Sequence, residues 1–334
     1  MRNPIPIFLF SILFVITAFD FSGREKEKEK EETAKEKRDV SDDILLLKDM
    51  LSNENRNYVY DRQIYDFGCD TLHQIVFWRK VMNLSRDSAF LNVANERKIL
   101  LKLSSKEWNQ KTEENKLRYK DSLRLLFGLS DSARILLTEG KSFFYDFEKA
   151  YPNLHKGIEV FRKNNVDPWY AQAILLIESP GRLQKSNVGA YGPFQLMKSV
   201  AKMYGLVVNK KTDQRADLEK SAYAAAMLMK NICIPKTKQL LDTLGVTYSE
   251  NDLWFRLLTL HSYHAGFGNV KAAVQATAMN EGGLKLIQTL WHTQAKGFKT
   301  ASQTYSQVAL AAMLEMDSRV REKINSTLAS SVQE

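Results

Sequence analysis

The sequence predicts an all-α protein, a helical domain in the second half of the chain preceded by an N-terminal helical extension. Three observations carry that expectation. Glycine (15) and proline (7) are scarce among 334 residues, whereas all-β chains need denser turn punctuation. Apolar residues recur at helical spacing from Asp43 onward. Helix starts and stops are marked where that spacing needs them, by Asp167-Pro168 and Asp252 at starts and Gly205 and Gly266 at stops. The hydrophobic fraction of 44% and charged fraction of 26% exclude a wholly disordered chain and a multi-span membrane protein. Two cysteines exclude a disulfide-stapled scaffold and a cysteine-built metal cluster.

Taken in order, Arg2 precedes a 15-residue apolar run from Ile5 to Phe19. That length suits a signal-peptide core better than a membrane span. Ile16-Thr17-Ala18 is a poor cleavage site, so an uncleaved anchor extended through Phe21 stays open beside a cleaved leader over residues 1–23. Either reading exports the remainder. No cysteine follows the run, which leaves a lipoprotein signal unsupported. Residues 24–43 are a lysine/glutamate alternation with no apolar face and read as a charged, disordered tether. Over residues 44–150 a helical region is expected, from Ile44, Leu47 and Met50-Leu51, then Leu100, Leu103 and Trp108, then Leu123 and Leu126-Phe127, and last Phe143-Phe144 with Phe147. Gly128 and Gly140 break it. Nothing there clusters like a site, and its aromatics read as packing residues. Cys69 and Cys233 read as buried free thiols.

From Tyr151 the helices are interrupted by two glycine-rich turns, Gly189 to Gly192 and Gly266 to Gly268, and such turns between rigid helices are where clefts are built. Asp167-Pro168 opens the helix WYAQAILLIES, and Pro180 disfavours its continuation past Glu178. Ala171, Ile174, Leu175 and Glu178 share one face, so Glu178 extends an apolar stripe. Apolar surroundings disfavour its charged form, and the negative pole of the helix does the same. Both raise its pKa from about 4.3, toward the range a general acid needs near neutrality.

Three motifs in this region occur in order: Glu178-Ser179, then G-A-x-G-x-x-Q-x-M as Gly189 to Met197, then S-Y-H-A-G-x-G-N-V as Ser262 to Val270. Together they resemble the soluble lytic transglycosylase family of peptidoglycan enzymes. The resemblance implies a lysozyme-like helical catalytic domain over residues 151–325, with a polar tail over 326–334. It implies that Glu178 is the single acid/base, which protonates the oxygen between N-acetylmuramic acid and N-acetylglucosamine and then deprotonates the muramic 6-hydroxyl. The product would carry a 1,6-anhydro sugar. The usual pair of glycosidase carboxylates is not required, because in this family the substrate's N-acetyl group stabilises the reacting centre. Ser179 matches the serine that helps orient the acid or the substrate. Gln195 and Met197 match residues lining the glycan cleft, and Tyr263 matches a tyrosine beside the catalytic site. His264 departs from the family by standing where asparagine is usual. The loop after Glu178 is about one residue shorter than the family's, and Lys198 replaces a frequent proline.

No cofactor is implied. His261 and His264 form an H-x-x-H pair without a glutamate base between them or a third ligand at metal spacing, so no metal site is expected. Phosphate-loop, dinucleotide and G-x-S-x-G signatures are absent. The net charge of +9 favours polyanionic surroundings or is a solubility charge. The lysines are spread among glutamates rather than gathered with aromatics, which argues against nucleic acid; the basic surplus fits an acidic wall polymer at least as well, and the resemblance implies peptidoglycan glycan strands as the partner. The expected location is the periplasm or cell envelope, with possible attachment to the inner membrane through residues 1–21. Two rivals share the fold: a lysozyme-type hydrolase and a non-catalytic peptidoglycan-binding scaffold.

Overall fold

The computed structural model describes residues 44–49, 54–178 and 185–331; the expected leader and charged tether lie outside them. The chain is predominantly helical, but its N-terminal part corrects one expectation, because residues 44–139 contain five strands in two antiparallel sheets. Strands β1 (Ile44–Asp49) and β2 (Glu54–Val59) form a hairpin whose register runs from Ile44↔Val59 to Asp49↔Glu54. The four-residue apolar run from Ile44 to Leu47 does not distinguish strand from helix by its own period; the partner strand decides it. The edge of β2 is closed by a side chain. Val59 N–H donates to Gln172 Oε1 at 2.9 Å, and Gln172 Nε2 donates to the Val59 carbonyl at 2.7 Å, so the carboxamide satisfies the pair of backbone groups another strand would take.

Helices α1 (Gln63–Asp66) and α2 (His73–Asn83) follow, then β3 (Ser88–Val93), β4 (Ile99–Ser104), α3 (Ser105–Asn109), α4 (Glu113–Leu126) and β5 (Ile135–Glu139). Leu100 and Leu103, expected on a helix, belong to β4. The sheet order is β4-β3-β5, and the central β3 exchanges backbone bonds on both sides. Leu91, Val93, Leu100, Trp108, Leu123 and Ile135 give this sheet a small core of its own, covered by α3 and α4. Ser104 caps α3 and Thr112 caps α4 through their hydroxyl oxygens.

The remainder is helical: α5 (Phe147–Lys163), α6 (Pro168–Glu178), α7 (Lys198–Met203), α8 (Leu218–Leu228), α9 (Ile234–Thr243), α10 (Leu253–Ala265), α11 (Phe267–Ala276), α12 (Leu284–Leu290) and α13 (Thr300–Ser331). The expected polar tail is therefore helical as far as Ser331. Helix α6 starts at Pro168, with Asp167 Oδ1 accepting from Trp169 N–H at 2.9 Å, and ends at Glu178. The expected single apolar face is an underestimate, since every residue from Pro168 to Ile177 is buried. Such a helix is apolar all round because neighbours pack on every side. One of them, α5, comes close enough that a Cβ at Gly157 would lie 2.6 Å from Leu175 Cδ1.

The boundary expected between residues 150 and 151 falls inside α5, and the main hydrophobic core draws residues from both sides of it, from Tyr58 to Val320, beside the smaller core of the three-stranded sheet. Polar ties reinforce that continuity. Fully buried Arg256 on α10 donates from Nε to Asp167 at 2.7 Å and from Nη1 to Asp61 at 3.2 Å. A charged group removed from water this completely is stable only with such partners, and loss of one costs about 3–5 kcal/mol. Gln63 Oε1 accepts from Leu253 N–H at 2.8 Å and so caps α10, whereas the carboxylate of Asp252, positioned at the N-cap, accepts from Ser249 N–H and Trp254 Nε1. Trp78 and Arg79 on α2 bond Gln307 and Glu315 on α13. Both cysteines are buried free thiols, each pushed up to about 12 by burial. Among the described residues no helix is long and apolar enough to cross a membrane.

Candidate active site

Helix α6 delivers Glu178 from the centre of the core to its edge. The last turn carries the side chain out of the apolar packing, and Glu178 is the first residue of the helix that is not fully buried. Protein atoms crowd its carboxyl. Burial pushes that group up to about 7, from an ordinary value of 4.5, against the opposing effect of one hydrogen bond. The donor is Tyr305 Oη on α13, 2.7 Å from Glu178 Oε1. A neutral phenol donating to a carboxyl favours the ionised form, so the acid is balanced between two opposed environments and titrates near neutrality.

Aromatic side chains from three parts of the chain surround this pair. The charge of Glu178 raises the phenol pKa values of Tyr145, Tyr263 and Tyr305, on top of a larger effect from burial. All three hydroxyls therefore remain protonated through the physiological range, as donors or neutral walls. His264 lies one step further out. Its ring stacks on Tyr305, with centroids 4.1 Å apart and planes at 19°, while its outer edge stays exposed. Desolvation of the covered face lowers its pKa below the ordinary histidine value, so the imidazole is neutral at neutral pH. His261, three residues earlier, is fully buried against Phe298 and pushed down to about 3 by burial. The two histidines thus occupy different environments. Among the described residues no group of three or more His, Cys, Asp and Glu side chains could hold a metal.

The turn from Ser186 to Met197 joins this group through Tyr263. Tyr191 and Leu196 exchange backbone bonds of 3.1 and 3.0 Å across it, and Gln195 adopts φ 45°, a left-handed conformation costly for a side chain of its kind. Gln195 Nε2 donates to the Gly192 carbonyl at 3.0 Å, which folds the amide back on the turn. Gly192 is required twice over. Its φ is 89°, and a Cβ there would lie 1.8 Å from the Arg215 carbonyl oxygen. Arg215 itself is buried and clamps the turn from behind. Its Nη1 donates to the carbonyls of Gly189 and Leu196, both at 2.8 Å, while Asp213 pairs with Nε and Nη2. Tyr263 Oη donates to the Phe194 carbonyl at 2.6 Å, which fastens α10 to the same turn.

Of the expected site residues, the structure brings Glu178 and Tyr263 into one electrostatic neighbourhood, joins His264 to it through Tyr305, and puts Gln195 on the turn that Tyr263 holds. Met197 is the N-cap residue of α7 and is 42% exposed, so it is available to a ligand rather than filling the core. Ser179 lies outside the described residues. Sequence reasoning missed Tyr305, Tyr145 and Arg215. Tyr305 is 127 positions from Glu178 and sits in an ordinary helical stretch with no local signal. Tyr145 belongs to the region whose aromatics read as packing residues. Arg215 follows Asp213 in a polar segment indistinguishable from a surface loop.

Residues 158–284 match a family model described as Transglycosylase SLT domain. No curated protein matches the chain. The matched segment contains Glu178, the Gly189–Met197 turn and the Ser262–Val270 motif. Tyr145, Tyr305, the five strands and all of α13 fall outside it.

Proposed function

From a chain that carries a transglycosylase SLT domain, the domain of the soluble lytic transglycosylases, we propose a peptidoglycan lytic transglycosylase that cleaves the bond between N-acetylmuramic acid and N-acetylglucosamine and leaves 1,6-anhydro-N-acetylmuramic ends. The observation that carries the reading is the half-buried Glu178 carboxyl, pushed up to about 7 and hydrogen-bonded to Tyr305. In its protonated form it donates to the glycosidic oxygen as the C1–O bond breaks, and the N-acetylglucosamine leaves as an alcohol. The resulting carboxylate takes the proton of the muramic 6-hydroxyl, whose oxygen bonds to C1. The proton returns to Glu178 and no water is consumed. A pKa near the working pH serves both halves, since the same group must give a proton and then recover one.

Tyr305 stabilises the carboxylate between the two steps by donating to Oε1. Tyr263 and the Gln195 turn form the wall along which the glycan lies, with Met197 exposed at its rim; Ser179 is assigned to orienting the acid or the substrate. His264, neutral and stacked on Tyr305, supplies a hydrogen-bonding edge where the family's asparagine stands. We read the chain as exported to the periplasm or cell envelope, on the strength of the apolar run from Ile5 to Phe19.

The test is to incubate purified glycan strands with wild type and with Glu178→Gln, then identify products by mass spectrometry. Anhydro ends from the wild type alone are the expected result. Reducing ends would assign a hydrolase, and bound but uncut strands a scaffold; either overturns the proposal.

A further inference from the structure

A cavity of about 200 Å³ opens between the three-stranded sheet and the first turns of α13, and all of its lining residues lie outside the matched domain segment. Arg97 and Arg134 line it from the sheet side, His292 from the turn after α12, and Gln303 and Gln307 from α13; no acidic residue lines it. Arg97 is the unusual member. It is 6% exposed and follows the turn between β3 and β4 with φ 56°. Its guanidinium packs 5.1 Å from the Trp78 ring centroid and 5.5 Å from that of Phe77. Among the described residues its one side-chain hydrogen bond runs from Nη1 to Asn92 Oδ1 at 3.4 Å, and no carboxylate pairs with it.

A guanidinium presents five N–H donors, and a buried charge is ordinarily paired. The contrast with Arg215 and Arg256, both buried and both held by aspartates, is direct. Burial without a counter-charge pulls Arg97 down to about 10. The cavity wall is held rigid around it: Gln307 accepts from Trp78 Nε1 at 3.1 Å, and Gln303 donates to the Thr293 carbonyl at 2.8 Å. Each of those amides has a partner within the protein, and the donors left to the cavity include those of Arg97 and, at the exposed mouth, of Arg134 and His292. Leu136 and Trp291 add apolar surface to the lining, and Asn95 and Gln294 add side-chain amides.

We propose that this cavity binds a carboxylate, and that the carboxylate is the C-terminal end of a peptidoglycan stem peptide. The first half rests on the cavity alone; the second rests also on the reading of the protein as a peptidoglycan enzyme. Guanidinium forks match carboxylates in a planar, two-pronged geometry. The volume corresponds to roughly six or seven waters at about 30 Å³ each, which suits a terminal amino acid better than a bare inorganic ion. The cavity is separate from the acid. At about 100° per residue, Gln303 and Gln307 project on the side of α13 opposite Tyr305 and hence opposite Glu178, so a peptide held there lies across the helix from the reacting bond.

The experiment titrates the full chain calorimetrically with a synthetic stem tetrapeptide bearing a free C-terminal carboxylate, its C-terminal amide, and inorganic phosphate, with no glycan present. The carboxylate form should bind at least tenfold tighter than the amide. Arg134→Gln, at the exposed mouth, should weaken the carboxylate form tenfold and leave the amide unchanged, and Arg97→Lys should do the same while keeping the buried charge. Equal binding of acid and amide, binding by neither, or indifference to Arg134→Gln overturns the proposal. Phosphate binding as tightly as the peptide assigns the cavity to free anions and overturns the peptide assignment. Absent peptide binding with anhydro ends still forming sinks this site alone, whereas intact peptide binding without anhydro ends sinks the catalytic reading alone.

Discussion

Replacing Glu178 by glutamine should make the protein more stable, and only above a particular pH. Glutamine has nearly the same shape, and its amide oxygen can still accept from Tyr305, so the substitution removes the ionisable proton and little else. In the folded protein the carboxyl titrates near 7, whereas in the unfolded chain it returns to about 4.5. Below pH 4.5 both states hold the proton, and wild type and variant should be equally stable. As the pH rises toward 7 the unfolded chain ionises and the folded one does not, so wild-type stability falls. At about 1.36 kcal/mol per pH unit between the two values, the loss reaches about 3 kcal/mol and levels off above pH 7. Guanidinium denaturation of both proteins at pH 4, 6 and 8 measures it. The stability gap should open from near zero to about 3 kcal/mol in favour of Glu178→Gln. A gap that stays constant within about 0.5 kcal/mol across that range would show that the carboxyl is solvated, and the acid/base role would lose its physical basis.

Two further outcomes follow from the same geometry. Tyr305→Phe removes the hydrogen bond that favours ionised Glu178; hydrogen bonds to charged groups are worth about 1.5–3 kcal/mol. The alkaline limb of the pH–kcat/KM profile on glycan strands should therefore move up by about one pH unit or more from near 7, and a limb that stays in place or moves down refutes the assignment. On the turn, Gly192→Ala should cost about 3 kcal/mol or more, because a Cβ 1.8 Å from the Arg215 carbonyl oxygen forces the backbone apart. Gly189→Ala, at φ 87° but with open space around it, should cost only about 1–2 kcal/mol. Urea unfolding of the two variants orders them, and the reverse order would contradict the clamp.

Helix α6 shows what local information can do. An aspartate and proline start it, Pro180 opposes its continuation, and a glutamate closes its apolar run. All of these act within one or two turns, so the helix and the exceptional position of Glu178 are legible before folding. The glycine turn is legible for the same reason, since Gly189 and Gly192 permit the positive φ that both adopt. The strands are the opposite case. The residues Ile99–Ser104 and Ile44–Asp49 are short apolar runs compatible with either period, and their state depends on partners aligned by the rest of the chain.

Chain-local chemistry thus determined a predominantly helical protein whose α6 terminates in an acid at the edge of an apolar run, and it marked the glycine turns that interrupt the helices. Tertiary structure alone decided how that acid behaves. The hydroxyl that bonds it comes from Tyr305, 127 residues away, the turn is clamped by Arg215 from a separate segment, and Tyr145 reaches it from the region that looked least functional. The physical reason is the range of the forces. Capping, proline sterics and glycine torsions act between neighbours in sequence, whereas desolvation and hydrogen bonding of a buried carboxyl depend on whichever atoms packing brings against it.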